Sequence, residues 1–174
     1  MAILFNLNKL KFIIWSRGLI IMEIKYISKS LEDTDTLAKV ITENLFRGAV
    51  ISLNGDLGAG KTTFTKSVGK YLGVKEEVSS PTFNILKCYF DGSMPLYHID
   101  AYRLEDGVNK DIGLEEVIEG DGVCLIEWSC FIEEMVFEPL AIVINRLSPT
   151  EREFVITSDF KKYDKIMQAI KEIM

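Results

Sequence analysis

Two kinds of segment alternate along the chain. Ala49-Val50-Ile51-Ser52-Leu53 and Val123-Cys124-Leu125-Ile126 are short, nearly continuous apolar runs, the pattern of strands buried on both faces. Between such runs apolar residues fall at helical spacing. Leu37, Val40, Ile41 and Leu45 form one such stripe, with Ser30, Asp33 and Thr34 as candidate caps before it and Gly48 after it. A second helix is predicted from the glycine-rich segment after Leu53 to about Leu72, stopped by Gly73. A short helix over 114–118 is closed by Gly120-Asp121-Gly122, and an amphipathic helix over 163–174 ends the chain. Further strands are predicted at Glu23-Ile24-Lys25-Tyr26-Ile27, over 82–90 before a turn at Asp91-Gly92, and over 96–100. Residues 141–145 and 153–157 flank a turn around Pro149 and are predicted as a hairpin. No internal repeat or low-complexity stretch interrupts this order. Strands alternating with helices predict an α/β domain with a mostly parallel central sheet and a C-terminal hairpin and helix.

Composition narrows the classes of function. The chain has 174 residues, 48% of them hydrophobic, which suits one domain with a real core. Its formal net charge is −6, so it is poorly suited to grip nucleic acid alone, a task that needs clustered Lys and Arg. Any service to RNA is expected to run through a partner. Cys88, Cys124 and Cys130 contain no CxxC pair and read as free thiols of a reducing cytoplasm. His98 is the one histidine, which excludes zinc sites built from several.

Residues 1–21 stand apart. They carry Lys9, Lys11 and Arg17 and no acid, so without them the formal charge falls from −6 to −9. Their apolar runs, such as Phe12-Ile13-Ile14-Trp15, are too short to span a bilayer, which takes about 20 residues. The fresh start at Met22 reads as an upstream start codon chosen in error rather than as a membrane-surface anchor. Residues 22–174 are then the single domain, with no stable membrane association expected.

Gly55-Asp56-Leu57-Gly58-Ala59-Gly60-Lys61-Thr62 matches G-x-x-x-x-G-K-[ST] in full, with a buried strand before it and a helix after it. Gly58 and Gly60 allow the backbone to curl, so that its N–H groups point at an anion at a helix N-terminus. Lys61 adds charge for the β- and γ-phosphates, and the Thr62 hydroxyl is placed to ligate Mg²⁺. The alternative is a glycine-rich turn whose lysine is only solvated. A P-loop nucleotidase also needs an acid for metal or water. Glu127 ends one apolar strand and Asp100 ends another, and ligands bind at such strand ends in open α/β sheets.

Four motifs together resemble the TsaE family, formerly YjeE. They are Gly55 to Thr63, Ser80-Pro81-Thr82, His98-Ile99-Asp100-Ala101-Tyr102-Arg103-Leu104 and Ile126-Glu127-Trp128, within a resemblance covering most of residues 23–158. This family supplies the ATPase component for threonylcarbamoyladenosine formation in bacterial tRNA. The resemblance implies a P-loop NTPase-like, three-layer α/β/α fold. It implies ATP bound by Gly55, Asp56, Leu57, Gly58, Ala59, Gly60, Lys61, Thr62 and Thr63, with Mg²⁺ held by Thr62 and Glu127. Asp100 would act with Lys61 near the γ-phosphate or its water, and Ser80-Pro81-Thr82 would form a switch-like loop. TsaD and TsaB are the implied partners, with tRNA reached only through them. Ala101, where a larger apolar residue is expected, Cys130 after Ser129, and the N-terminal extension depart from the family pattern. None of these touches the phosphate-binding residues.

Several residues keep two readings. Ser80-Pro81-Thr82 is a switch loop or an ordinary strand entry. Trp128 and Arg103 are ligand or partner contacts, or a core aromatic and a solvated side chain. His98 shares a strand face with Asp100, but without a G-x-S-x-G elbow it reads as structural or as support for a neighbouring acid. Three other functions compete: a small-molecule or nucleotide kinase, a GTPase, and a scaffold that binds ATP without hydrolysing it. A kinase usually needs an arginine-bearing lid, and the arginines here are not clustered. For a GTPase, Asn109-Lys110-Asp111-Ile112 has its acid one place early for N-K-x-D.

Overall fold

The computed structural model describes residues 3–7, 10–14, 20–105 and 113–174, with side chains from residue 22 onward. Asn109-Lys110-Asp111-Ile112 lies outside the described residues. The strands are β1 (Ile3–Leu7), β2 (Leu10–Ile14), β3 (Ile20–Ser28), β4 (Val50–Asn54), β5 (Leu86–Tyr89), β6 (Leu96–Asp100), β7 (Val123–Glu127), β8 (Leu140–Arg146) and β9 (Arg152–Ser158). The α-helices are α1 (Leu31–Thr42), α2 (Lys61–Leu72), α3 (Leu114–Ile118) and α4 (Asp164–Glu172).

Among the described residues the strands form one sheet in the order β1-β2-β3-β9-β8-β4-β7-β6-β5. Its centre, β8-β4-β7-β6, is parallel. Antiparallel pairs flank it: β5 on one side, and β9, β3, β2 and β1 on the other. β1 and β2 come before the first strand that hydrophobic patterning predicts.

Alternation along the central strands explains the three layers. Ile51, Leu53, Val123 and Leu125 face α1, α2 and α4, together with Phe64, Phe154 and Ile166. Val50, Cys124, Ile126 and Ile99 face the opposite side and pack with Leu114 and Ile118 of α3, Ile132 and Met135. Each fully buried side chain of this size contributes about 1.5–3 kcal/mol. The Phe64 ring, 5.8 Å from that of Phe154, seats the first turn of α2 against the sheet. All three cysteines are free.

One predicted strand is shorter than expected. Residues 82–85 are not extended, and β5 begins at Leu86. The Asn84 and Ile85 N–H groups both donate to the Pro81 carbonyl, and Ile85 takes a φ of 65°. The segment therefore folds back as a turn, and its hydroxyls are committed elsewhere.

Candidate functional site

β4 runs straight into the glycine-rich loop. At Gly55 φ is 143°, and a Cβ there would collide with the Ile144 carbonyl. Gly60, with φ 114°, makes the final turn into α2. The two neighbouring helices begin differently. Ser30 caps α1 by accepting a hydrogen bond from the Asp33 N–H. Gly60 has no side chain to cap α2, so its first turn, beginning at Lys61, lacks a side-chain cap and could receive an anion.

Lys61 opens α2 and is 5% exposed. Its Nζ donates to the Gly55 carbonyl at 2.7 Å and the Asp56 carbonyl at 3.0 Å, and lies 3.8 Å from the centre of the Trp128 ring. Burial pushes its pKa below the ordinary lysine value, while Glu127, Asp100 and Asp56 pull the other way. The ammonium is thus partly stripped of water and held at the head of the loop, a state that phosphate oxygens would relieve.

Asp100 and Glu127 stand opposite each other in register at the ends of β6 and β7, each 3% exposed. Their partners differ. Glu127 is tied to the first turn of α2: its Oε1 accepts the Thr62 hydroxyl at 2.9 Å and faces His98 Nε2 at 2.8 Å. Asp100 is tied to the segment after α2. Its Oδ2 accepts the Thr82 hydroxyl at 2.6 Å and that of Ser80 at 3.4 Å, while its Oδ1 accepts the Tyr102 N–H at 3.1 Å.

These groups line one cleft of about 450 Å³. The loop and α2 give Leu57, Gly58, Gly60, Lys61, Thr62 and Thr63; Ser80 and Thr82 form one wall; Asp100, Tyr102, Glu127 and Trp128 form another. Residues far apart in sequence are thus brought together, and Thr82 turns into the cleft. Of the two readings of Trp128, the position over Lys61 makes it part of the cleft wall. Asp56 contributes its carbonyl to Lys61. Arg103 stands apart from the cleft lining and lies over the exposed Phe83 ring, 4.7 Å from its centre. His98, which shares a strand face with Asp100, pairs with Glu127 instead.

Two contributors were not found in the sequence. Tyr102 closes the cleft with its ring 5.1 Å from that of Trp128. Arg152, at the start of β9, donates through Nε to the Ala59 carbonyl at 2.8 Å and so pins the loop to the C-terminal hairpin. Behind that contact a second depression of about 460 Å³ shares Gly60 and Thr63 with the first and reaches Ser30, Thr150 and Phe154. The two depressions meet at Gly60 and Thr63, at the start of α2.

Among the described residues no group of three or more His, Cys, Asp or Glu side chains is arranged to hold a metal ion. Thr62 and Glu127 could supply a partial set of oxygen ligands. That suits Mg²⁺, which takes one or two protein ligands and completes its shell with phosphates and water. Among the described residues no helix is long and apolar enough to cross a membrane.

A family model, "Threonylcarbamoyl adenosine biosynthesis protein TsaE", matches residues 28–154. The "tRNA threonylcarbamoyladenosine biosynthesis protein TsaE" of Bacillus subtilis is 44% identical over 149 residues, covering 85% of this chain and 94% of that protein. The protein of the same description from Treponema pallidum is 44% identical over 134 residues, covering 75% of this chain and 97% of its own length. The crystal structure of Bacillus subtilis YdiB superposes with a TM-score of 0.76 at 38% identity, covering 88% of this chain and 97% of that one.

Proposed function

The chain belongs to the TsaE family, and on that premise we propose that it binds and hydrolyses Mg²⁺–ATP as a subunit for threonylcarbamoyladenosine modification at position 37 of tRNA, acting with TsaD and TsaB. The observation that carries this reading is the Thr62–Glu127 contact of 2.9 Å beside the buried Lys61. It joins a P-loop hydroxyl to a strand-end carboxylate where a metal and phosphate would meet.

The residues divide the work by their neighbours. Lys61 and the first-turn N–H groups of α2 hold the β- and γ-phosphates. Thr62 and Glu127 hold the metal. When bound, Mg²⁺ supplies charge neutralisation on the transferred phosphoryl group. Asp100, with its Oδ2 turned to Thr82 and Ser80, orients the attacking water. The depression bounded by Ser30 and Thr150 would offer room for the nucleoside.

Hydrolysis by the isolated chain is expected to be slow. Arginines are sparse at the cleft, and one supplied from outside is worth about 10³–10⁵ in rate in P-loop systems. The net charge of −6 also leaves tRNA to the partners. ATP hydrolysis would reset the assembly between rounds while TsaD and TsaB do the tRNA chemistry in the cytoplasm. The test combines the purified chain with TsaD, TsaB, ATP, Mg²⁺, threonine, bicarbonate and tRNA. Repeated rounds of adenosine modification should require this chain with Lys61 intact. Equal turnover by the partners without it would defeat the reading and favour a small-molecule kinase.

A further inference from the structure

His98 sits on β6, fully buried, two residues before Asp100. Its Nε2 lies 2.8 Å from Glu127 Oε1, whereas its Nδ1 is the one buried side-chain polar atom left without a partner among the described residues. A carboxylate only accepts hydrogen bonds, so to pair with Glu127 the ring would have to present an N–H at Nε2. A buried imidazole with an idle nitrogen is a poor way to fill a core, where an aliphatic side chain would leave no polar atom unmet. What the histidine supplies that an aliphatic residue cannot is the N–H.

Glu127 Oε1 receives two donors, the Thr62 hydroxyl and His98 Nε2. The two are not equivalent. Thr62 stands on the P-loop helix, and its oxygen is needed when an ion arrives. His98 is fixed in the sheet. We propose that His98 is a positioning residue. It holds the Glu127 carboxylate at one orientation whether or not Thr62 has turned to the ion, and so sets Mg²⁺ affinity. The inference rests on the reading of the cleft as a Mg²⁺–ATP site. Donors that orient a ligating carboxylate typically change metal affinity about 10–100-fold when removed.

The test follows binding of a fluorescent ATP analogue as Mg²⁺ is raised, and repeats it in EDTA. His98→Leu should raise the Mg²⁺ concentration for half-maximal tight binding about 10–100-fold. Affinity in EDTA should stay within about 2-fold, because the P-loop itself is untouched. His98→Gln keeps an N–H at nearly the reach of Nε2 and should recover most of the loss. His98→Asn, whose amide stops short of Glu127, should not, and it provides the loss in a polar side chain if His98→Leu folds poorly. Wild-type Mg²⁺ dependence in both His98→Leu and His98→Asn overturns the proposal. So does an equal loss in EDTA, which would make the residue mere packing. If the wild-type chain itself shows no Mg²⁺-dependent binding, the ATP reading falls and this inference falls with it.

Discussion

At its C-terminal end β4 runs into Gly55 and the loop that carries Lys61. At its N-terminal end the same strand meets Tyr163, whose hydroxyl donates to the Val50 carbonyl at 2.9 Å and accepts from the Val50 N–H at 3.0 Å. Both ends bury polar groups, but with opposite accounting. The Tyr163 contact is closed, since one hydroxyl answers one carbonyl and one N–H. The other end keeps Lys61, Asp100 and Glu127 buried side by side, with the Thr62 and Thr82 hydroxyls on the two carboxylates free to change partners should a ligand enter. One end of the sheet is therefore expected to set stability and the other to set function, a division typical of parallel sheets. Substitutions can test that division directly.

The largest effect is expected at Lys61. Lys61→Ala should lower ATP turnover by about 10³-fold or more, since a preorganised charge on the phosphates is lost. Its melting temperature should be unchanged or slightly higher, because burial works against the ammonium. A variant that loses several degrees would show that the lysine also holds the fold, and would blur the two ends.

Asp100→Asn comes next. If Asp100 orients water, turnover should fall about 10²–10³-fold, within the range for a lost general base. Nucleotide affinity should change by no more than about 3-fold. Parallel losses in both would move Asp100 into ground-state metal binding beside Glu127. Thr62→Ala and Glu127→Ala should each weaken Mg²⁺ dependence about 10–100-fold. Their double variant should fall short of additivity by about 0.5–3 kcal/mol if they share one ion. Fully additive losses in a binding titration would remove Glu127 from the metal.

How far the sequence revealed these ends depends on where the interactions run. The glycine-rich loop is a local device, so its glycine spacing and lysine are contiguous and were legible. Asp100 and Glu127 were legible because each terminates an apolar run. Their different partners were not, because those follow from cross-strand register and from contacts with Thr62 and Thr82. The pairing of His98 with Glu127 spans 29 residues, and the grip of Arg152 on Ala59 spans 93. In isolation Arg152 is only a polar residue at a strand entry. Residues 82–85 misled for a related reason. Their composition is strand-like, but the Pro81 carbonyl gathers two N–H groups and Asp100 takes the Thr82 hydroxyl. Tertiary partners there override the local pattern.

The smallest effect, and the sharpest contrast, belongs to Tyr163. The ring is fully buried and packs 5.4 Å from that of Phe46. Tyr163→Phe keeps this packing and removes only the hydroxyl, leaving the Val50 N–H and carbonyl short of a partner in a buried place. The expected cost is about 1–2 kcal/mol, a drop of a few degrees in melting temperature for a domain of this size. Turnover should be unchanged. The pH dependence gives a second signature. Burial raises the Tyr163 pKa from 10.0 to about 12, against the opposing pull of its backbone hydrogen bonds. A group whose folded pKa is raised contributes stability below the unfolded value and loses it as pH climbs towards the folded one. The wild-type advantage over Tyr163→Phe should therefore hold up to about pH 10 and then shrink, by up to about 1.4 kcal/mol per pH unit, as the phenol of the unfolded chain ionises. Denaturant unfolding of both proteins between pH 8 and 11 would measure the difference, with other alkaline titrations cancelling in the comparison. A constant gap across that range would mean that the hydroxyl is not closed off in the folded protein. A loss of ATP turnover in Tyr163→Phe at neutral pH would mean that the two ends of β4 are coupled.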